Sequence, residues 1–280
     1  MDRFAAIMSR AALFALAAMT LLAGCQTVQT TQPGVVGVDR KQHFLVSSDE
    51  MNAAAADAYK KTIAEAQAKG QLNTNPAHVE QVKRVVSRLI PNTGFFRPDA
   101  PKWAWEVNVL STPEVNAWCM PGGKIAVYSG LIDKVKPSDD ELAAVLGHEI
   151  AHALREHSRE QMSQQLVEQI GIGVLGAGLG LSDVTQQLSG MLLKVGFELP
   201  HSRTDETEAD RVGLELAARS GFDPHAAVTL WQKMEQVAGA GGQGGTIQKF
   251  LSDHPPTEQR LADMKANADK LQPIYLAAKK

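Results

Sequence analysis

His148-Glu149-Ile150-Ala151-His152 is the stretch of this chain whose residue types and spacing can do chemistry. On a helix, residues four apart lie on one face. Both imidazoles then point the same way and can bind one metal ion. Glu149 is offset from that line, so it misses the metal and reaches a water held by it. H-E-x-x-H read in this way is a Zn²⁺ site with two His ligands and a Glu as general base.

A pattern of five residues can arise by chance, so its surroundings decide. Ser138 as N-cap and Glu141 at the third helical position form a capping box. Leu142, Val145, Leu146, Ile150 and Ala153 then recur at helical spacing. The competing reading is a helix whose two histidines are merely surface or core residues.

Two His ligands require a third protein ligand, with the fourth position left for water. Ser202–Arg219 reads as a second helix, capped by Ser202 and ended by Gly221. Glu206 and Asp210 lie one turn apart on one of its faces. Glu206 can supply the third ligand. Asp210 can accept the free ring N–H of a ligand histidine, His148, and so fix its tautomer. Glu208 points to another face and is the weaker candidate. The alternative is a solvated acidic helix face. His157 reads as a helix-end histidine, because the three-histidine metzincin spacing would need its third His at position 158 and a Gly at 155.

The rest of the chain must position these groups. With 280 residues, 44% hydrophobic, 21% charged and a net charge of −3, it fits one compact domain with short appendages. The mild acidity argues against nucleic acid as the main partner. Ser48–Lys69 and Pro76–Leu89 read as packing helices, the second ended by Pro91. Trp103–Leu110 alternates like a strand. Asn116–Met120 and Lys124–Tyr128 form a hairpin across Pro121-Gly122-Gly123. These strands suggest a small antiparallel sheet beside the His helix. Asn116-Ala117-Trp118 is the candidate edge for binding a substrate main chain by strand addition. An ordinary buried hairpin with Trp118 in the core is the even alternative. Gly171–Leu181 contains G-x-G-x-x-G, but no strand precedes it, so a dinucleotide site is rejected. It reads as a mobile apolar cover or a closely packed helix.

The N-terminus has a positive start and an apolar run, Ala11–Ala23, in the manner of a secretory signal. Leu22-Ala23-Gly24-Cys25 resembles the bacterial lipobox, which implies cleavage after residue 24 and lipidation of Cys25. Gln26 after the Cys implies sorting to the outer membrane. The expected layout is a signal at 1–24, a lipidated tether at 25–45 and a metallopeptidase domain at 46–280. Cys119 then has no disulfide partner and reads as a small apolar residue.

H-E-x-x-H, the SRxxExEADxxG run from Ser202 and the SGFDP run from Ser220 together resemble the zinc metallopeptidases related to the CAAX prenyl protease and HtpX. The resemblance covers nearly all of the chain after the tether and is nearest the bacterial periplasmic branch of BepA and LoiP type. It implies an α+β, mainly helical, gluzincin-type domain with Zn²⁺ on His148, His152 and Glu206, and Asp210 supporting a histidine. It also draws attention to Asp253-His254-Pro255. His254 could donate to the developing oxyanion or occupy the open zinc position, or it could simply cap the last helix; His201 is a weaker oxyanion donor. The function implied is a zinc metalloendopeptidase, lipid-anchored at the periplasmic face of the outer membrane. It would cleave unfolded or misassembled envelope polypeptides. The alternative is a chaperone or assembly factor for outer-membrane proteins with little turnover.

Overall fold

A computed structural model describes residues 26–171, 189–191, 201–240 and 247–279. The signal, Cys25, positions 172–181 of the glycine-rich stretch and positions 241–246 of the glycine linker lie outside the described residues. In chain order the main elements are β1 (Gln26–Val28), β2 (Gln42–Phe44), α1 (Ser48–Ala68), α2 (Pro76–Phe96), β3 (Glu106–Leu110), β4 (Ala117–Met120), β5 (Lys124–Tyr128), α3 (Asp139–Leu154), α4 (His157–Gly171), α5 (Arg203–Arg219), α6 (Ala226–Ala240), α7 (Gln248–Asp253) and α8 (Glu258–Ala278). The fold is α+β and mainly helical, as expected. No helix among the described residues is long and apolar enough to cross a membrane.

Local chemistry explains the helices that frame the site. Ser47 and Glu50 form a capping box at the start of α1, which buries Met51, Ala54, Ala55, Ala58 and Tyr59 on one stripe. Asn75 caps α2, and Pro76 supplies a pre-set φ at its first turn. Pro91 does not end α2; the helix runs on to Phe96. A proline inside a helix removes one hydrogen bond. Burial of Thr93 and Phe96 on the following turn offsets that loss.

The expected antiparallel sheet is mixed, with strand order β3-β5-β4. β5 pairs parallel with β3 and antiparallel with β4. Ile125, Ala126 and Val127 are wholly buried, so β5 takes the centre, where both faces are covered. The hairpin puts β4 on its outer side, and β3 joins the other edge. Gly122 and Gly123 take φ of +76° and +81° in the connecting turn, a conformation suited to glycine. The strand expected from Trp103 begins only at Glu106; Trp103 and Trp105 instead stack on each other, with ring centroids 5.5 Å apart.

Residues 26–45 are not a free tether. β1 and β2 pair with each other, and Val36, Val38 and Phe44 are buried in the body. The Gln32 N–H donates to the Phe96 carbonyl at 2.8 Å, and the Val36 N–H donates to Glu215 at 3.1 Å. Polar composition suggested a spacer. Its few apolar side chains and Arg40 find partners across the domain instead.

The core is centred on α3, with Leu142, Ala143, Leu146, Ile150 and Ala151 fully buried. It packs against α2, α5, α6 and β4.

Candidate metal centre

α3 begins as read from the sequence. Ser138 accepts from the Glu141 N–H, and Glu141 accepts from the Ser138 N–H at 2.7 Å. Lys233 and Thr229 also bind Glu141, which pins the helix start to α6. α5 starts at Ser202 in the same way, with Asp205 as the reciprocal partner. The two helices cross backbone to backbone. A Cβ on Gly213 would sit 2.6 Å from the His148 nitrogen, and one on Gly147 would sit 2.8 Å from the Gly213 carbonyl oxygen. Only glycines permit this approach, and it brings the acidic face of α5 over the histidines of α3.

His148, His152, Glu206 and His254 converge with their donor atoms all within 4.8 Å of one another. His148 Nε2 and His152 Nε2 are 3.0 Å apart. Glu206 oxygens lie 3.3 Å from His152 Nε2 and 3.6 Å from His148 Nε2. Bond lengths near 2.0–2.1 Å in a tetrahedral zinc site place ligand atoms about 3.3 Å from each other. The separations fit one zinc ion. His254 Nδ1 stands 3.0 Å from Glu206 Oε1 and 3.2 Å from His148 Nε2, as a fourth donor.

Glu149 is buried beside this group, and its Oε1 has no hydrogen-bond partner among the described residues. An orphaned buried carboxylate oxygen is costly unless a ligand or water satisfies it. Burial pushes Glu149 above the ordinary carboxylate range, with His254 and His148 opposing. Burial acts on Glu206 in the same direction, but His254 and His148 outweigh it and hold Glu206 well below that range. Burial disfavours a charged His254, yet Glu206 and Glu149 raise it to about 9. His201 stacks on His152 with ring centroids 4.0 Å apart, and burial lowers it to about 3.

His148 Nδ1 faces Asp210 at 2.9 Å, the arrangement expected of a ring N–H donating to a carboxylate. Arg260, in the first turn of α8, donates to both Asp210 oxygens at 2.7 and 2.8 Å and lies 3.0 Å from Glu206. It also donates to the Pro255 carbonyl at 2.8 Å, which ties the His254 segment to α5. Sequence reasoning missed Arg260. A lone arginine in a polar run carries no signal until its buried partners are known.

His157 opens α4, a helix end as read from the sequence, but it packs inside the domain and not merely at a helix terminus. It is fully buried, with Nδ1 2.8 Å from His152 Nδ1 and Nε2 3.2 Å from Glu208. Glu208 faces away from the donors, as its helical position implied, and is buried in a charged cluster. Cys119 is a buried free thiol, raised further by burial, and so chemically quiet.

Ala117 and Trp118 begin β4, an outer strand with no strand partner on its free side among the described residues. Their side chains are buried, and Trp118 meets Tyr59 edge to face at 5.7 Å. Asn116 precedes the strand and accepts from the Tyr128 N–H at 2.9 Å. Trp118 is thus a core residue; the outward N–H of Ala117 donates to the Asn116 side chain at 2.9 Å, and no strand among the described residues pairs on that side.

Comparison with known proteins agrees with this geometry. The family model described as peptidase family M48 matches residues 76–268. The "Mitochondrial metalloendopeptidase OMA1" of Schizosaccharomyces pombe is 36% identical over 86% of this chain and 68% of its own length. The human "Metalloendopeptidase OMA1, mitochondrial" is 32% identical over 68% of this chain and 37% of its own. The "Beta-barrel assembly-enhancing protease" of Escherichia coli is 27% identical over 73% of this chain and 42% of its own. Two of these three relatives are matched over less than half of their length.

Proposed function

We propose that this chain, which belongs to peptidase family M48, the zinc metallopeptidases, is an endopeptidase of the bacterial envelope acting on unfolded or misassembled envelope polypeptides. One observation carries the peptidase reading: two imidazole nitrogens and a carboxylate converge at zinc-ligand spacing with Glu149 beside them. His148, His152 and Glu206 would hold the metal. Zinc, when bound, supplies Lewis acidity that lowers the pKa of water and polarises a carbonyl. Glu149 takes a proton from the attacking water and passes it to the leaving amine. Its burial favours that task, because a raised carboxylate is the better base. Asp210 and Arg260 keep His148 in the tautomer that presents Nε2. The outer side of β4, unpaired by any strand among the described residues, would offer main-chain groups to an extended substrate once the Asn116 side chain releases the Ala117 N–H.

The envelope setting and the anchor through lipidated Cys25 rest on the Leu22-Ala23-Gly24-Cys25 run and the apolar stretch before it. The relative named for β-barrel assembly supports an envelope substrate; the relatives named for mitochondria act elsewhere by their names. Cleavage of casein or an unfolded porin, lost with chelator and restored by zinc, tests the activity. Cys25→Ser should release the protein from the membrane fraction.

The chaperone or assembly-factor reading draws support from His254. Its Nδ1 stands where a fourth ligand would, so the cleft in this arrangement has no position left for water. Two variants separate the readings. A resting peptidase cleaves faster as His254→Ala and about 10²–10⁴-fold more slowly as Glu149→Gln. A holding protein still complements a knockout as Glu149→Gln.

A further inference from the structure

We propose that His157 is a positioning residue that presents His152 to the metal, held from behind by Glu208, Arg155 and Arg40. The proposal rests on the metal-centre reading above and adds a part that the ligand motifs do not contain.

With His157 neutral, its partners fix the proton placement. An ionised carboxylate only accepts, so the His157 nitrogen facing Glu208 at 3.2 Å, Nε2, carries the hydrogen. A neutral His157 then has its lone pair on Nδ1. His152 Nδ1 lies 2.8 Å from that lone pair and must donate to it. The lone pair of His152 is left on Nε2, which faces His148 at 3.0 Å and Glu206 at 3.3 Å. The reverse placement would put a hydrogen on His152 Nε2 and close it to a metal.

The arrangement is built, not incidental. Glu156 makes the turn between α3 and α4 with φ of +53°, a conformation uncommon for a residue with a side chain. Its carboxylate is tied to Ser48 at 2.6 Å, Arg159 at 2.6 Å and Arg97 at 3.0 Å. That turn brings His157 back beneath His152. Behind it, Arg155 donates to Glu208 Oε2 through Nε and a terminal nitrogen, at 2.9 and 2.8 Å. Arg40 donates to Glu208 Oε1 at 2.6 Å and also reaches Glu160 at 2.7 Å and Asp205 at 3.0 Å. The polypeptide before α1 therefore reaches the metal centre through a chain of hydrogen bonds, Arg40 to Glu208 to His157 to His152.

His157, Asp205 and Glu208 also lie close enough to suggest a second metal site. The two guanidinium groups already cover those carboxylates, so the cations there are the chain's own.

The test uses the full chain as wild type, His157→Leu and His157→Gln. Three quantities are read: zinc affinity by chelator competition, the visible spectrum of the cobalt-substituted protein, and thermal unfolding of the chelated protein. Loss of a partner that orients a metal-bound histidine weakens metal binding roughly 10–100-fold. His157→Leu should show that loss and a shifted cobalt spectrum while the chelated protein still unfolds cooperatively. In His157→Gln the side-chain oxygen can accept from His152 and the amide can donate to Glu208, so most of the affinity should return. Wild-type affinity and spectrum in His157→Leu would overturn the proposal. So would equal losses in Leu and Gln that track a lowered melting temperature, since that marks a packing role. A wild type that binds no zinc would instead overturn the metal-centre reading and this proposal with it.

Discussion

The two histidines of α3 are supported in different ways, although both supports end on α5. His148 meets the Asp210 carboxylate directly, and Arg260 from α8 clamps that carboxylate. His152 meets an imidazole first, and the carboxylate behind it is Glu208, held by Arg155 and Arg40. Helical geometry accounts for the difference. Asp210 is one turn from Glu206 and shares its face, whereas Glu208 is rotated about 200° from Glu206 and points away. His157 spans the gap that this rotation leaves. One short helix thus carries a ligand and both supports, and a third histidine is needed because one support faces the wrong way.

The largest effect expected leaves this comparison intact and serves as its control. Glu149→Gln should lower peptide cleavage by about 10²–10⁴-fold with zinc content unchanged, since it touches neither support. Asp210→Asn should weaken zinc binding roughly 10–100-fold, read by chelator competition, the range expected when a direct support is lost. Comparing it with His157→Leu asks whether a carboxylate or an imidazole holds its ligand more firmly. Gly213→Ala should disturb both sides at once. The added methyl group meets the His148 backbone and forces α3 and α5 apart, at a cost of about 1–3 kcal/mol in denaturant unfolding and with weaker zinc binding.

The smallest effect is the pH dependence. Burial would raise Glu208, but its bonds to His157 and Arg40 outweigh that and lower it to about 2. Burial opposes likewise at Glu156, which Arg97 and Ser48 hold below its ordinary value. Both folded values are depressed, so their contribution to stability is complete above pH of about 4.5 and is lost as pH falls toward 2. Thermal melts across that window should fall less steeply in Glu156→Gln than in wild type.

Much of the centre is legible in the sequence. His148, Glu149, His152, Glu206 and Asp210 all sit on two amphipathic, capped helices, where spacing of four residues translates directly into a shared face. His254 was reachable only through resemblance, because it lies on a short helix and a turn with no periodicity to read. His157 and Arg260 were not legible. Each is bound to a carboxylate about fifty residues away in sequence, and a buried polar residue has the same letter as a solvated one. The sheet departs from its sequence for a similar reason: adjacency in sequence suggests antiparallel pairing throughout, while the apolar residues of β5 place it at the centre. Residues 26–45 read as a tether because three apolar anchors, Val36, Val38 and Phe44, spread over twenty residues leave an average composition polar.

The measurement that bears most directly on the account is the zinc content and affinity of Glu206→Ala beside wild type, with the fold of each checked by circular dichroism. The account predicts one zinc per wild-type chain and a folded Glu206→Ala that loses it to mild chelation. A folded Glu206→Ala that keeps one zinc at wild-type affinity would contradict it, because the two α3 histidines would then be completed by something other than α5.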